Sequence, residues 1–256
     1  MKKIDCKVMG IVNVTPDSFS DGGKYFAPEE AVKRACNLIR EGADIIDLGG
    51  ESTRPGAERL DWQSEWARLE PVIKNLIAFL SSPRQKLRRV PISIDTYHPE
   101  TAQKAIELGA DIINCVYEEP ISEMCRVIKN SNKSIELVMP AKSYLKADIF
   151  ALDKSQVYID PMIGFGTTRE EDLELLRSIK DLSLKARVLV GASRKRIVKK
   201  LTGEKNLGKN LGGNIAIALW AALSGASAVR VHDVFETVQA IKTATIIVDE
   251  SCILEE

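Results

Sequence analysis

Short apolar runs rich in Val and Ile recur along the chain at 8–14, 44–48, 90–95, 111–115, 134–139, 156–160, 187–191 and 228–231, and each reads as a buried strand. Between most of these runs the apolar spacing changes to that of a helix. In "PEEAVKRACNLIREGA", Ala31, Ala35, Leu38 and Ile39 fall on one face, Pro28 opens the first turn and Gly42 stops the last. "HPETAQKAIELGA" repeats the device with Pro99 and Gly109. Twice a helix closes on Gly-Ala-Asp-Ile-Ile and runs directly into a strand, at 42–46 and at 109–113, which marks two equivalent βα units.

Eight strands alternating with helices predict an α/β fold, a (β/α)8 TIM barrel, with a doubly wound open sheet as the alternative architecture. No Pro- or Ser-rich linker and no low-complexity stretch divides the chain, so residues 1–256 are expected to form a single domain. The fifth βα unit is expected to be truncated, because "PAKSYLKADIFALDKS", 140–155, is the whole connection between the fifth and sixth strands.

Composition narrows the function classes. With 45% hydrophobic and 5% aromatic residues among 256, the core is large and aliphatic. The 36 Lys and Arg balance 36 Asp and Glu, so neither nucleic acid nor a membrane surface is an expected partner, and any anion site is local. Cys6, Cys36, Cys115, Cys125 and Cys252 have neither CxxC nor His-rich spacing, so we expect reduced cytoplasmic thiols and no disulfide framework or zinc site. No charged-then-apolar leader opens residues 1–10 and no apolar run reaches spanning length, so secretion and membrane insertion are not expected.

In a barrel of this kind the ligand lies at the C-terminal ends of the strands. Those ends read Asn13, "GGESTRPGA" at 49–57, Asp95 in "ISIDTY", Asn114 in "IINC", Asp160 in "YIDPMIGFG", "GASRKR" at 191–196 and "VRVHDV" at 229–234. Asp95, Asn114 and Asp160 suit the edge of a flat, nitrogen-rich ring such as a pterin or purine, because a carboxylate accepts two parallel N–H bonds. Arg54, Arg230, His232 and the Ser193-Arg194-Lys195 start of a helix are donors suited to a phosphate or carboxylate. Taken singly, these residues also have simpler readings. Asn114 and Asp160 are good helix caps, Thr53 and Ser193 good turn hydroxyls, and Arg54 and Lys195 ordinary surface charges. His98 before Pro99 reads as a cap, Cys115 as a small core residue, and Trp62 with Trp66 as helix packing. Convergence on seven strand ends is what favours a ligand site.

The motifs "MGIVNVTPDSFSDGG", "DIIDLGGESTRPGA", "ISIDTY", "DPMIGFG", "GASRK" and "RVHDV", in this order, resemble those of the dihydropteroate synthase family from Val8 to about Lys242. The resemblance implies a (β/α)8 barrel that condenses 6-hydroxymethyl-7,8-dihydropterin diphosphate with 4-aminobenzoate. It implies that Asp95, Asn114, Asp160 and Lys195 hold the pterin, with Thr53 and Phe165 also at the substrate. It places the diphosphate with Arg54, Arg230 and His232, and with Asn13 and a Mg2+ ion. The loops 15–23 and 50–57 would close over the reacting groups, and no strong general base is needed, since a neutral arylamine is already nucleophilic. A homodimer formed by the last helices is implied as well. "GGNIAIALWAALSGA", 212–226, is apolar nearly all round and points the same way, toward burial of Ile217, Trp220 or their neighbours.

Some positions depart from the family's pattern. Arg196 stands where a Ser usually meets the aminobenzoate carboxylate, and as a cation it is expected to pair with that group. Thr167 replaces a usual Lys, Cys115 a usual Asp, and Pro140 a usual His. Two alternatives stand beside an active synthase: a non-catalytic pterin binder and a pterin-dependent methyltransferase. The anion set of Arg54, Arg230 and His232 weighs against the methyltransferase, and two complete loops weigh against the mere binder.

Overall fold

The structure, a computed structural model, describes residues 4–15, 28–51, 59–145, 152–206 and 209–249. Eight parallel strands pair in chain order and close on themselves. They are β1 (Lys7–Asn13), β2 (Ile45–Gly49), β3 (Ile92–Asp95), β4 (Ile112–Asn114), β5 (Glu136–Pro140), β6 (Val157–Asp160), β7 (Arg187–Val190) and β8 (Ala228–Val231). The expected TIM barrel is therefore the observed fold, and the open sheet is excluded by the β1–β8 pairing of Lys7 with Ala228.

Helices cover the outside: α1 (Pro28–Glu41), α2 (Trp62–Leu80), α3 (Pro99–Leu108), α4 (Ile121–Asn130), α5 (Ala141–Leu145), α6 (Arg169–Arg177), α7 (Ile179–Ser183), α8 (Arg196–Thr202), α9 (Leu211–Leu223) and α10 (Val234–Val248). The stripe read in α1 is the buried one, Ala31, Ala35, Leu38 and Ile39, joined by Cys36. After β5 only α5, five residues long, and a 3-10 turn at Lys154–Gln156 are described, which matches the truncated fifth unit.

Side chains alternate in and out along each strand. Met9, Ile45, Ile112, Val138, Tyr158, Leu189 and Ala228 pack together as a dry layer inside the barrel, separate from the larger core beneath the helices. The Tyr158 hydroxyl is bonded by Arg187, whose guanidinium lies 3.8 Å from the Tyr158 ring centre and closes the floor. One inward step above that layer, two residues further along, stand Asp47 on β2, Asn114 on β4, Asp160 on β6 and Arg230 on β8. Apolar residues fill the lower barrel, and at the next inward position four strands, β2, β4, β6 and β8, carry a polar side chain instead.

The site loop after β7 is braced by α8 against α9. A Cβ on Gly213 of α9 would lie 2.5 Å from Thr202 Cγ2 and 2.8 Å from Val198 Cγ1, whereas one on Gly212 meets nothing within 4 Å. Alanine normally stabilises a helix over glycine by about 0.5–1 kcal/mol, and overpacking costs about 1–3 kcal/mol. Urea unfolding should show Gly212→Ala gaining stability and Gly213→Ala losing it. A gain in both would show that α8 and α9 are not packed this closely.

Candidate active site

Arg230 reaches across the upper barrel from β8. Its Nε donates to Asp47 Oδ2 at 2.7 Å and its Nη2 to Asp95 Oδ2 at 2.7 Å. Asp47 is fully buried and Asp95 nearly so, with side chains 0% and 12% exposed. Burial alone would lower the Arg230 pKa, but the two carboxylates override it and hold the guanidinium charged. Burial also pushes Asp95 up to about 7, against the pull of Arg230 and helped by the like charges of Asp47 and Glu65. Glu65 itself, on α2, is pushed up to about 7 by burial and accepts a 2.7 Å bond from the Thr96 hydroxyl.

A second charge pair faces this one. Burial raises Asp160, with Lys195 opposing, and burial lowers Lys195 to about 8, with Asp160 opposing. Asp160 Oδ1 accepts the Met162 N–H at 2.6 Å and so bends the loop after β6, where Met162 takes a φ of 68°. Lys195 Nζ donates to the Ile163 carbonyl at 2.7 Å and stands 4.0 Å from the centre of the Phe165 ring. Thr167 and Asp172 close the same loop by accepting the Gly164 N–H. The loop thus delivers Phe165 to the barrel mouth beside Lys195.

Asn114 sits between these pairs, 1% exposed, and neither its Nδ2 nor its Oδ1 has a partner. Asp47 Oδ1 and Ser93 Oγ, on register-paired positions of β2 and β3, are also buried and unpaired. Orphaned buried polar atoms each cost on the order of 1–3 kcal/mol, so a cluster of them inside a barrel marks a place built to meet another molecule. Here the unmet groups include a carboxamide donor, a carboxamide acceptor, a carboxylate oxygen and a hydroxyl.

The anion end lies higher. Ser193 Oγ is 3.0 Å from His232 Nδ1, and Arg34 holds the His232 carbonyl at 3.1 Å. Arg194, at a φ of 59°, donates its backbone N–H to Asn214 and its guanidinium to Asp233. Arg196 opens α8, exposed and with no side-chain partner among the described residues. Asn13 ends β1, half-buried. Thr53 and Arg54 lie outside the described residues, as do most of both loops.

The capping readings of Asn114 and Asp160 fail, since the Asn114 side chain bonds nothing and α6 is capped by Thr168. His98 does occupy the N-cap of α3, yet its side chain makes no cap bond and holds the Leu60 carbonyl instead, at 3.0 Å. Asp47 and Ser93 were not expected at the site. Their signal is the period of two: each stands two residues before an inward-facing position at a strand end, Gly49 or Asp95.

Comparison with known proteins agrees with this geometry. A family model described as pterin binding enzyme matches residues 9–143 and 139–232. A dihydropteroate synthase of Neisseria meningitidis serogroup C is 37% identical over 265 residues, covering 92% of this chain and 90% of that one. The structure of a Xanthomonas albilineans dihydropteroate synthase with 4-aminobenzoic acid is 35% identical, with a TM-score of 0.84 over 94% of this chain and 93% of that one. An Anaplasma phagocytophilum dihydropteroate synthase with bound 6-hydroxymethylpterin-monophosphate is 29% identical, with a TM-score of 0.81 over 96% of this chain and 100% of that one. A barrel that keeps unpaired polar groups inside and donors at its rim, matched nearly end to end by these proteins, belongs to the dihydropteroate synthase family of pterin-binding enzymes.

Proposed function

We propose that the chain condenses 6-hydroxymethyl-7,8-dihydropterin diphosphate with 4-aminobenzoate, releasing diphosphate and 7,8-dihydropteroate. The observation that carries this reading is the unpaired Asn114 carboxamide between Asp95 and Asp160. A pterin edge offers N–H donors to the carboxylates and a donor-acceptor pair to the amide, which would satisfy groups otherwise left unmet. Lys195 and Phe165 flank the same space, as a donor and a ring wall.

The chemistry follows from depth. Breaking the bond from the methylene carbon to diphosphate leaves cationic character on carbon and negative charge on the leaving group. The amine nitrogen of 4-aminobenzoate then bonds to that carbon and gives up a proton. His232, with Ser193 orienting its Nδ1, would take the leaving charge together with Arg54, which lies outside the described residues, while the buried carboxylates would face the pterin. Arg196, free and exposed at the start of α8, would pair with the aminobenzoate carboxylate. For Mg2+ the fit is narrow: among the described residues no three His, Cys, Asp or Glu side chains gather as a metal site. Asn13 therefore fits as a single oxygen ligand to an ion carried by the diphosphate, where Mg2+ would neutralise leaving-group charge.

The cellular setting is part of the same proposal. The four described cysteines are free, which suits a reducing cytoplasm, and no helix among the described residues is long and apolar enough to cross a membrane. We also propose a two-fold homodimer through α9 and α10. Trp220, Phe235 and Ile247 are 53%, 51% and 75% exposed there, whereas Ile217, expected in that interface, is already 9% exposed within its own chain.

Diphosphate release from the pterin substrate should depend on added 4-aminobenzoate, and Asp160→Asn should lose it with an unchanged melting temperature. Pterin binding without any diphosphate release would instead identify a non-catalytic binder. Sedimentation at micromolar concentration should give twice the 28.3 kDa chain mass, and a lone 28.3 kDa species would contradict the dimer.

A further inference from the structure

Arg230 has two carboxylate partners of different character. Asp47 lies in the middle of β2, fully buried, one step above the dry layer, while Asp95 ends β3 at the edge of the ligand space. Both Nε and Nη2 of Arg230 turn to the same oxygen of Asp47, Oδ2, at 2.7 and 2.6 Å. Only Nη2 reaches Asp95. The deeper carboxylate is thus the main anchor of the guanidinium.

We propose that Asp47 is a positioning residue for the pterin: it fixes Arg230 in place and takes most of its hydrogen bonds, so that Asp95 keeps spare lone pairs for the ring. The inference rests on the pterin reading of this chamber. Asp47 does not itself need to touch the ring. A guanidinium with one carboxylate partner draws all of its compensation from that partner, and a carboxylate so engaged is a poorer acceptor for two further N–H bonds. With Asp47 in place, two carboxylates share one cation and the excess negative charge remains at Asp95. The Asp47 side chain is 0% exposed, so bulk solvent does not reach this arrangement.

Removing the Asp47 charge should therefore have a paired effect. Arg230 closes on Asp95 alone, and pterin affinity falls. At the same time Asp95, which faces Arg230, Asp47, Glu65 and Lys195, loses one like-charged neighbour and ionises at lower pH. Asp95 must be ionised to accept the ring, so affinity falls as pH drops through its titration, near 7 in the parent, and that fall moves to lower pH in the variant. The displaced limb reports the lost Asp47 charge, and the fall in affinity on the ionised side of the limb reports the lost anchor of Arg230.

The test is calorimetric titration with 6-hydroxymethylpterin from pH 5 to 9. The parent should bind, Asp47→Asn should raise Kd at least about tenfold with its acid limb displaced downward, and Asp47→Glu, which keeps the charge, should lose less. Asp47→Asn binding within twofold of the parent, on an unshifted limb, overturns the proposal while leaving the pterin reading intact. A parent that binds no pterin overturns both. If Asp47→Asn does not fold, the Arg230 Nε–H resonance of the parent decides. It should stay protected from exchange with and without pterin, and its release on pterin binding would overturn the proposal.

Discussion

A cation inside a β-barrel is tolerable only with its compensation built in, and Arg230 between Asp47 and Asp95 is the contact on which the upper barrel depends. Three carboxylates, Asp47, Asp95 and Asp160, share this space with two cations, Arg230 and Lys195, so the chamber is formally negative. That sign sorts the two ends of a substrate by depth. On the proposed reading a ring edge rich in N–H groups would be drawn in, and a diphosphate would be kept at the rim, where Ser193 and His232 stand. Removing Arg230 would strand two buried carboxylates, so the residue serves the fold as well as the ligand.

The loops beside this contact are braced by bonds of their own. Loop bends at Met162 and Arg194 hold non-glycine residues at positive φ, a strained backbone that persists only where neighbours fix it. Asp160 and Lys195 fix the first, and Asn214 and Asp233 the second. The groups proposed to meet the ring therefore sit on strands and braced turns, while Thr53 and Arg54 lie outside the described residues.

Much of this was legible in the sequence. The eight strands stand where the β-branched runs predict them, because a strand buried on both faces admits few other residues, and Pro28, Pro99, Gly42 and Gly109 punctuate α1 and α3 as read. Asp95, Asn114, Asp160, Lys195, Arg230 and His232 were legible as strand-end residues and separable by chemistry into a ring set and an anion set, and the resemblance moved Lys195 to the ring set and added Phe165. What was not legible is who partners whom. Arg230 was expected with an anion and is found with Asp47 and Asp95, because pairing across a barrel depends on strand register and stagger rather than on spacing along the chain. Asp47 was hidden inside a motif, and His98 was read as a cap when its ring instead holds Leu60 across to α3. Of the residues expected in an interface, Ile217 is already covered within its own chain while Trp220 is exposed, because the apolar pattern of a helix does not distinguish a neighbouring helix from a neighbouring subunit.

The central claim is that the unpaired polar atoms of the upper barrel exist to receive a heterocycle. A crystal structure of the chain with 6-hydroxymethylpterin tests it most directly. The account predicts the ring inside the barrel, with Asn114 Nδ2 and Oδ1 both within hydrogen-bond distance of it and Asp160 accepting from its N–H edge. A ring bound outside the barrel, with the Asn114 amide met only by water, would contradict it.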